Sequence, residues 1–218
     1  MRRARYSPSH EVLVLEREEL VRETCKLLAR VGAIKFGVFR LTSGKTSPYY
    51  IDLRLVPSFP DAFKFITNAY ARMIKDELSL DAFDRIAGVP TSGIPFAAVV
   101  ALGLEKPFLY VRKEMKLHGR ERRVEGILVP GDRVILLDDL ITTGKTLSDA
   151  VKAIRAEGGT VEHAFVLIDR EEGGREALGE AGVELHALLT VREIAELLLD
   201  MGVIEEEQYE LILKQIGA

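Results

Sequence analysis

Apolar residues along the chain follow two spacings, and this predicts an alternation of strands and helices. Short apolar runs that end in turn residues are typical of buried strands, whereas apolar residues at helical spacing are typical of helices. The runs predict strands at 85–89, 107–112, 133–138, 161–169 and 183–189. The helical spacing predicts helices at 15–31, 61–77, 94–103, 144–157, 174–181, 191–201 and 205–216. Strands that alternate with helices indicate an α/β fold with a parallel sheet covered by helices.

The residues before this alternating core predict a small additional lobe. Aromatic and apolar residues at 34–53, interrupted by Ser-Gly and Ser-Pro turn signals, predict a β-hairpin. We therefore expect three parts: residues 1–60 with the first helix and the hairpin, a core at 61–190, and a helical extension at 191–218.

The most informative polar residues come at the end of the apolar run 133–138. Four apolar residues lead into two adjacent carboxylates, Asp138 and Asp139, and then into a hydroxyl- and glycine-rich turn at 142–146 before the next helix. In open α/β sheets ligands bind at the carboxyl ends of strands, and the N-terminus of a helix favours a phosphate. Two neighbouring buried acids need hydroxyl groups or a cation as partners. The segment therefore predicts a site for a phosphate-bearing sugar with Mg²⁺.

Two other interpretations of this segment fit its residues less well. Gly144-Lys145-Thr146 matches the end of a P-loop motif, but Asp139 stands where that motif requires glycine, and two carboxylates would repel a triphosphate. A single aspartate often serves a turn or the start of a helix, which would explain one acid but not a tandem pair.

Cationic residues follow two other predicted strands. Four cationic residues lie at the start of segment 113–124 or directly before it: Arg112, Lys113, Lys116 and His118. This segment has few apolar residues and is expected to be exposed and mobile. Its simplest interpretation is a solvated charged loop, but four cations so close together also suit a pyrophosphate. Arg170 follows strand 161–169, where its acidic neighbours make an ion pair the simplest interpretation.

Taken together, these segments resemble the orotate phosphoribosyltransferases, which are type I phosphoribosyltransferases that use 5-phosphoribosyl 1-pyrophosphate (PRPP). The acid pair and its Thr/Gly turn resemble the family's PRPP signature, and the run from Arg112 to Gly119 resembles its R-K-x-x-K-x-H-G loop. The segments 164–173, 39–54 and 86–95 resemble the family's L-x-D-R-x-E-x-G motif, its base-covering hood and its pyrophosphate loop, respectively.

The resemblance implies a fold and a role for each matching residue. The implied fold is the type I phosphoribosyltransferase fold, an α/β fold with a central parallel sheet covered by helices and a small N-terminal hood subdomain. The implied catalytic residues are Lys116, His118, Asp138 and Asp139. The implied PRPP contacts are Arg112, Lys113, Lys116, His118, Asp138, Asp139, Leu140, Ile141, Thr142, Thr143, Gly144, Lys145 and Thr146. The implied orotate contacts are Thr142, Arg170, Tyr49 and Tyr50. Mg²⁺ is expected to be bound mainly through PRPP, without a dedicated protein ligand.

The implied reaction is the Mg²⁺-dependent transfer of the 5-phosphoribosyl group from PRPP to N1 of orotate, which gives orotidine 5′-monophosphate and pyrophosphate in pyrimidine (UMP) biosynthesis. In the family the mobile loop reaches into the neighbouring subunit, so the resemblance also implies a homodimer that shares loop 113–124 across its interface. A phosphoribosyltransferase for a purine or for uracil is one alternative, although it has no need of Arg170 beside the two tyrosines. A ligand-sensing regulator of the same fold is another, but it would need a nucleic-acid module.

The sequence departs from the family at two positions. Many members have lysine where this chain has Thr42, and several bacterial members have lysine where it has Ser92. The contact expected at the first position is lost here or is supplied by another group, such as Lys45.

Composition gives further indications about the binding partners, location and source of the protein. A net charge of −4 does not favour nonspecific binding to nucleic acid or to an anionic membrane surface. The sequence has no cleavable signal and no apolar run long enough to span a bilayer, so a cytoplasmic location is expected. One asparagine and two glutamines among many charged residues are mild evidence for a thermophilic source.

Overall fold

The computed structural model describes residues 10–40, 46–113 and 122–217. The strands are β1 (Ile34–Arg40), β2 (Thr46–Ile51), β3 (Arg85–Gly88), β4 (Phe108–Val111), β5 (Val124–Glu125), β6 (Arg133–Ile141), β7 (Thr160–Asp169) and β8 (Glu184–Thr190). The helices are α1 (His10–Arg30), α2 (Pro60–Glu77), α3 (Gly93–Gly103), α4 (Lys145–Ala156), α5 (Gly174–Glu180), α6 (Val191–Asp200) and α7 (Glu206–Gln215). Two short 3₁₀ helices lie at Leu53–Ser58 and Leu80–Ala82.

The central sheet has six strands in the order β5-β4-β3-β6-β7-β8. All neighbouring pairs in it are parallel except β4 and β5, which are antiparallel. The predicted α/β fold with a parallel sheet is therefore confirmed, apart from one antiparallel edge strand that the pattern did not predict. That strand, Val124–Glu125, is only two residues long, so no alternation of apolar and polar residues is visible in it.

Side chains of the central strands alternate between two apolar cores. In β6, Ile135 and Leu137 belong to the core shared with α2, α3 and α6, whereas Val134 and Leu136 belong to the core shared with α4 and α5. Because both faces are covered, the strands appear in the sequence as continuous apolar runs. The helices that follow β3 and β6 thus lie on opposite faces, although the two strands are neighbours. Ligands bind at such a reversal, in the crevice at the carboxyl ends of the strands.

The hairpin β1-β2 packs against the last two helices. Its strands are antiparallel, with Ile34 opposite Ile51. Ile212 of α7 is 1% exposed and lies close to both of them, together with Ile194 of α6. One apolar core therefore continues from the central sheet into the hairpin and the C-terminal helices. The expected division of the chain at 60 and 190 stays a prediction.

No helix in the described ranges has the length and apolar character needed to cross a bilayer.

Candidate active site

The acid pair lies within β6 rather than after it. The predicted end of this strand at residue 138 was wrong, because Leu140 and Ile141 still pair with β7, opposite Ile168 and Asp169. The strand on the other side, β3, pairs with β6 only as far as Leu137. From Asp138 onward, β6 therefore has a strand on one side and the crevice on the other. Two acids interrupted the apolar run, and the sequence pattern could not distinguish this from the end of a strand.

Asp138 and Asp139 are held by the backbone around them. Asp138 is 7% exposed, and its Oδ1 accepts a hydrogen bond from the N–H of Asp139 at 2.9 Å. The Oδ1 atom of Asp139 accepts one from the N–H of Leu140 at 2.9 Å. The hydroxyl of Tyr70 donates to the carbonyl oxygen of Asp138 at 2.7 Å, which fixes the strand from the α2 side.

The two carboxyl groups have perturbed acidity. Burial raises the pKa of Asp138 well above its ordinary value, and the neighbouring charge of Asp139 raises it further. Burial also raises the pKa of Asp139, opposed by hydrogen bonds that include one from Ser92. A cation or sugar hydroxyls placed against the pair would relieve this repulsion and favour the ionised state. The site therefore suits a polyhydroxylated or cationic ligand.

The start of α3 packs directly against the backbone of β6 at the acid pair. A Cβ atom added at Gly93 would lie 2.6 Å from the carbonyl oxygen of Leu137 and 2.8 Å from the Cα of Asp138. Glycine is therefore required where the loop after β3 passes β6. The backbone N–H of Gly93 can then bond to the carboxyl group of Asp138.

The turn after β6 presents backbone donors. Gly144 caps α4 in the left-handed conformation, with φ 76°, and no described side chain caps this helix. The first N–H groups of the helix are therefore available to an anion. Thr142 is partly exposed and Thr143 is exposed beside them. A cavity of about 280 Å³ opens here, lined by Arg54, Pro90, Thr91, Ser92, Lys113, Asp138, Asp139, Leu140, Ile141, Thr142, Thr143, Gly144, Lys145, Thr146 and Leu147.

Two of the predicted pyrophosphate contacts lie at this end of the sheet. Lys113 lines the cavity and also a neighbouring one of about 230 Å³, which Arg112 and Lys145 line as well. Arg112 forms an ion pair with Glu125 at 3.2 Å, and its carbonyl oxygen accepts hydrogen bonds from Arg123 at 3.0 and 3.2 Å. The two ends of segment 113–124 are thus joined where β4 pairs with β5. Lys116 and His118 lie outside the described residues, as do Thr42 and Lys45.

The hairpin and the end of β7 meet through Tyr49 and Arg170. The Nε and Nη2 atoms of Arg170 lie 3.4 and 3.3 Å from the hydroxyl oxygen of Tyr49, and its guanidinium lies over the tyrosine ring, 5.1 Å from the centroid. Nη2 also forms an ion pair with Glu172 at 2.8 Å. The backbone N–H of Arg170 donates to the carbonyl oxygen of Ile141 at 3.0 Å, so this pair adjoins the cavity without lining it.

The two tyrosines of the predicted hood face in different directions. Tyr49 is 2% exposed, whereas Tyr50 is 36% exposed, because successive residues of a strand point to opposite faces. Tyr50 stacks on Phe39 at 5.7 Å, and its hydroxyl accepts a hydrogen bond from Arg54 at 3.0 Å. The structure therefore places only Tyr49 against Arg170.

Arg54 is not among the site residues that the sequence predicts. This residue lines the cavity and is oriented by Asp52, whose Oδ1 lies 2.6 Å from its Nε. Its signal in the sequence was its position four residues after Tyr50, in the short 3₁₀ helix that follows β2. Ser92, noted only as a departure from the family, also lines the cavity and bonds to Asp139.

Comparison with known proteins agrees with this geometry. The sequence profile of the phosphoribosyl transferase domain matches residues 61–180, which is more than half of the 218 residues. The chain is 44% identical over 185 residues to an orotate phosphoribosyltransferase of Sulfolobus acidocaldarius, a match that covers 83% of this chain and 91% of the relative.

Solved structures give the same result. The crystal structure of orotate phosphoribosyltransferase from Aeropyrum pernix superposes with a TM-score of 0.73 at 35% identity, covering 83% of this chain and 99% of that one. A Mycobacterium tuberculosis orotate phosphoribosyltransferase in complex with PRPP has a TM-score of 0.64 at 24% identity, covering 80% of this chain and 98% of that one. At that identity, the second likeness concerns the fold alone.

Proposed function

The chain belongs to the phosphoribosyl transferase family and, within it, to the orotate phosphoribosyltransferases, and we propose that the acid pair, the turn at 142–146 and Arg170 carry its reaction. It is a transferase of pyrimidine biosynthesis, which joins the phosphoribosyl group of PRPP to orotate. A transferase for purines or uracil and a ligand-sensing regulator are not favoured, because the relatives are orotate enzymes. The observation that carries the assignment of roles is the acid pair of β6 beside an uncapped helix N-terminus.

PRPP binds with its 5′-phosphate on the turn from Thr142 to Thr146. The support for this position is the set of free backbone donors at the start of α4, together with the helix dipole. Its ribose hydroxyls then donate to Asp138 and Asp139, whose carboxylates lose their mutual repulsion on binding. Both contacts fix the sugar with its anomeric carbon toward the pyrophosphate side of the crevice.

The pyrophosphate is held by the cations at the other side of the cavity. Arg112 and Lys113 are the described residues assigned to it, and Arg54 is a further cation on the same cavity. Arg54 is well placed to make up for the absence of lysine at Thr42 and Ser92. Lys116 and His118 complete the set by analogy with the family loop, and they neutralise the charge that develops as the C1–O bond breaks.

Orotate is held between Arg170, Thr142 and Tyr49, the hood tyrosine that lies against Arg170. A guanidinium has five N–H donors, and the contacts of Arg170 to Tyr49 and Glu172 engage Nε and Nη2. Among the contacts described, Nη1 is the nitrogen left for the carboxylate of orotate. N1 of orotate forms the new bond to C1 and gives up its proton to solvent, while the pyrophosphate leaves with the electrons of the C1–O bond.

Mg²⁺ fits this site through oxygen donors. Mg²⁺ prefers carboxylates and substrate phosphates and retains several waters. Mg²⁺ would be held mainly by the oxygens of PRPP, beside the negative charge of Asp138 and Asp139, and it would supply positive charge against the leaving group. The cytoplasmic location expected from the sequence stays a prediction.

The reaction is tested by following the absorbance of orotate after adding PRPP and Mg²⁺ to the protein. We expect orotate to be consumed and pyrophosphate to be released in equal amounts. A steady orotate signal, combined with turnover of uracil or a purine base under the same conditions, would contradict the substrate assignment.

We also propose that the protein acts as a homodimer that shares loop 113–124. Exposed apolar side chains lie near the strands that flank this loop. Val99 and Leu102 belong to α3, which contacts β4, and Ile127 follows β5. Buried interfaces commonly use such side chains.

Mixing two inactive variants tests the shared loop. Lys116→Ala removes the loop cation, and Asp138→Asn with Asp139→Asn removes the acid pair. In a mixed dimer one site combines an intact loop with an intact acid pair. If subunits exchange freely, an equal mixture should regain about a quarter of wild-type activity. If each loop serves its own subunit, the mixture stays inactive.

A further inference from the structure

A second cluster of potential ligands lies at the opposite end of the sheet from the active site. His163 of β7 is paired in register with Glu184 of β8, and His186 follows two positions later on the same strand. Residues two apart in a strand leave the same face, so the three side chains converge. The cluster holds two of the four histidines of the chain.

The donor atoms of this cluster are spaced for one small cation. The Nδ1 atom of His163 lies 3.1 Å from the Nε2 atom of His186, and a carboxylate oxygen of Glu184 lies 3.6 and 4.0 Å from these two nitrogens. Two nitrogens bound tetrahedrally to Zn²⁺, each at about 2.0–2.1 Å, are separated by about 3.3 Å. A modest adjustment of the Glu184 side chain, which is 67% exposed, would complete the set.

The surroundings of His186 fix its ring for this role. A carboxylate oxygen of Glu77, at the end of α2, lies 3.6 Å from Nδ1 of His186, the nitrogen that faces away from His163. Phe165 stacks on the same ring at 4.5 Å. A carboxylate near Nδ1 favours the tautomer in which Nδ1 carries the proton and Nε2 is an acceptor, so a metal ion would replace the contact between Nε2 and His163.

We propose that His163, Glu184 and His186 form a binding site for one divalent transition-metal ion of the Zn²⁺ class, with Glu77 as an outer-shell residue. Two imidazoles and a carboxylate suit Zn²⁺, Ni²⁺ or Cu²⁺ better than Mg²⁺, which prefers oxygen ligands alone. A cavity of about 590 Å³ beside His186 and Glu184 gives the ion access from solvent.

The expected role of this ion is structural. His163 lies near the start of β7, roughly 20 Å from Asp169 at about 3.3 Å per residue, so the site is remote from the acid pair. An ion bound there would join β7 to the edge strand β8 and, through Glu77, to the end of α2. Since the ion binds only when these strands are paired, it should stabilise the folded chain.

The test uses the full chain, freed of metal with a chelator and titrated with Zn²⁺ by calorimetry. A parallel titration uses the Asp138→Asn, Asp139→Asn double variant, which lacks the carboxylates of the active site. Zn²⁺ bound by the acid pair is thereby distinguished from Zn²⁺ bound by the histidine cluster. We expect one Zn²⁺ per chain in both proteins and a thermal midpoint that rises with Zn²⁺ concentration. Co²⁺ in place of Zn²⁺ should give the visible spectrum of mixed nitrogen and oxygen coordination.

Point variants then assign the ligands. His163→Gln and Glu184→Gln should each weaken Zn²⁺ binding by at least about tenfold, and Glu77→Gln by about 10–100-fold. Glu162→Gln, which changes the exposed residue next to His163 on β7, should leave the affinity unchanged. All four variants should keep their activity with Mg²⁺ and PRPP.

Two results would overturn the proposal. One is the absence of Zn²⁺ binding in the double variant, which would leave the two histidines as a hydrogen-bonded pair. The other is binding that His163→Gln and Glu184→Gln do not weaken, which would place the ion elsewhere.

Discussion

At the scale of single residues, Asp138 and Asp139, which we propose as the ribose-binding pair, oppose the stability of the substrate-free protein at neutral pH. Both have raised pKa values in the substrate-free protein because both are buried, and the charge of Asp139 adds to the rise at Asp138. An acid with a raised pKa in the folded state contributes stability that is complete below its unfolded-state pKa, which is about 4 for aspartate. That stability is lost as the pH rises through the folded-state pKa.

We therefore predict that the contribution of the acid pair to the free energy of unfolding of the substrate-free protein falls as the pH rises from about 4 toward neutrality. Asp139→Asn should reduce this fall and raise the thermal midpoint at neutral pH, by about 2–4 °C for each kcal/mol regained. The same variant should lose about 100-fold in activity. Thermal unfolding across this pH range measures the first effect. Asp200→Asn, at the exposed end of α6, is the control and should keep the wild-type pH dependence.

Arg170 gives the second prediction at this scale. Arg170→Lys keeps the charge but loses the planar fork that holds Tyr49 and a carboxylate together. We expect the KM for orotate to rise about 10–100-fold, the equivalent of one charged hydrogen bond, with the KM for PRPP nearly unchanged.

Initial rates with each substrate varied in turn separate these effects for Arg170→Lys. The control is Arg133→Lys, which affects an ion pair with Asp84 at the far end of β6. An equal rise in both KM values would mean that Arg170 supports the whole site rather than orotate.

At the scale of elements, the close packing of α3 on β6 sets the position of the acid pair. Gly93→Ala would push a methyl group into the backbone of Leu137 and Asp138. Such overpacking costs about 1–3 kcal/mol, and we expect activity to fall as well, because the displaced carboxylate belongs to the site. Gly103→Ala, at the other end of the same helix, meets nothing within 4 Å and should be neutral. Denaturant unfolding and initial rates of both variants check this.

The elements also show where sequence patterns are reliable. Long apolar runs gave β7 and β8 to within a residue or two, because strands covered on both faces have an unambiguous pattern. The pattern failed for β5, which is two residues long, and for the last three residues of β6, because the acids Asp138 and Asp139 interrupt the apolar run before Leu140 and Ile141. At the end of β6, the acids of the candidate site interrupt the apolar pattern that would otherwise mark a buried strand.

The pattern of residues indicated the acid pair and the turn after it, whereas the proposed roles of Tyr49 and Arg170 came from the family resemblance. Tyr49 and Arg170 are 121 positions apart, and only a known family motif could bring them together before the structure did. Arg54 was missed because the motif drew attention to the tyrosines before it. The histidine cluster was missed because His163 and His186 meet only through the register of β7 and β8.

At the scale of the whole molecule, the C-terminal helices support the hairpin that carries Tyr49. Ile212→Ala in α7 would leave a cavity beside Ile34 and Ile51, so we expect a loss of about 2–5 kcal/mol in the free energy of unfolding. A looser hairpin should also raise the KM for orotate. Leu211→Ala, its half-exposed neighbour, is the matched control and should cost less than about 1 kcal/mol. Denaturant unfolding compares the two, and equal losses would mean that α7 does not support the hairpin.

The continuation of β6 beyond its acids has a thermodynamic consequence for substrate binding. Asp138 and Asp139 belong to a strand that is hydrogen-bonded to β7 on both sides of them, and their own carboxylates accept from the strand's backbone. Groups that are already ordered lose little conformational entropy when a ligand arrives. In the proposed binding mode, the free energy gained when the ribose contacts this pair is therefore not spent on ordering the strand, and it can distinguish PRPP from sugars that lack the same hydroxyls.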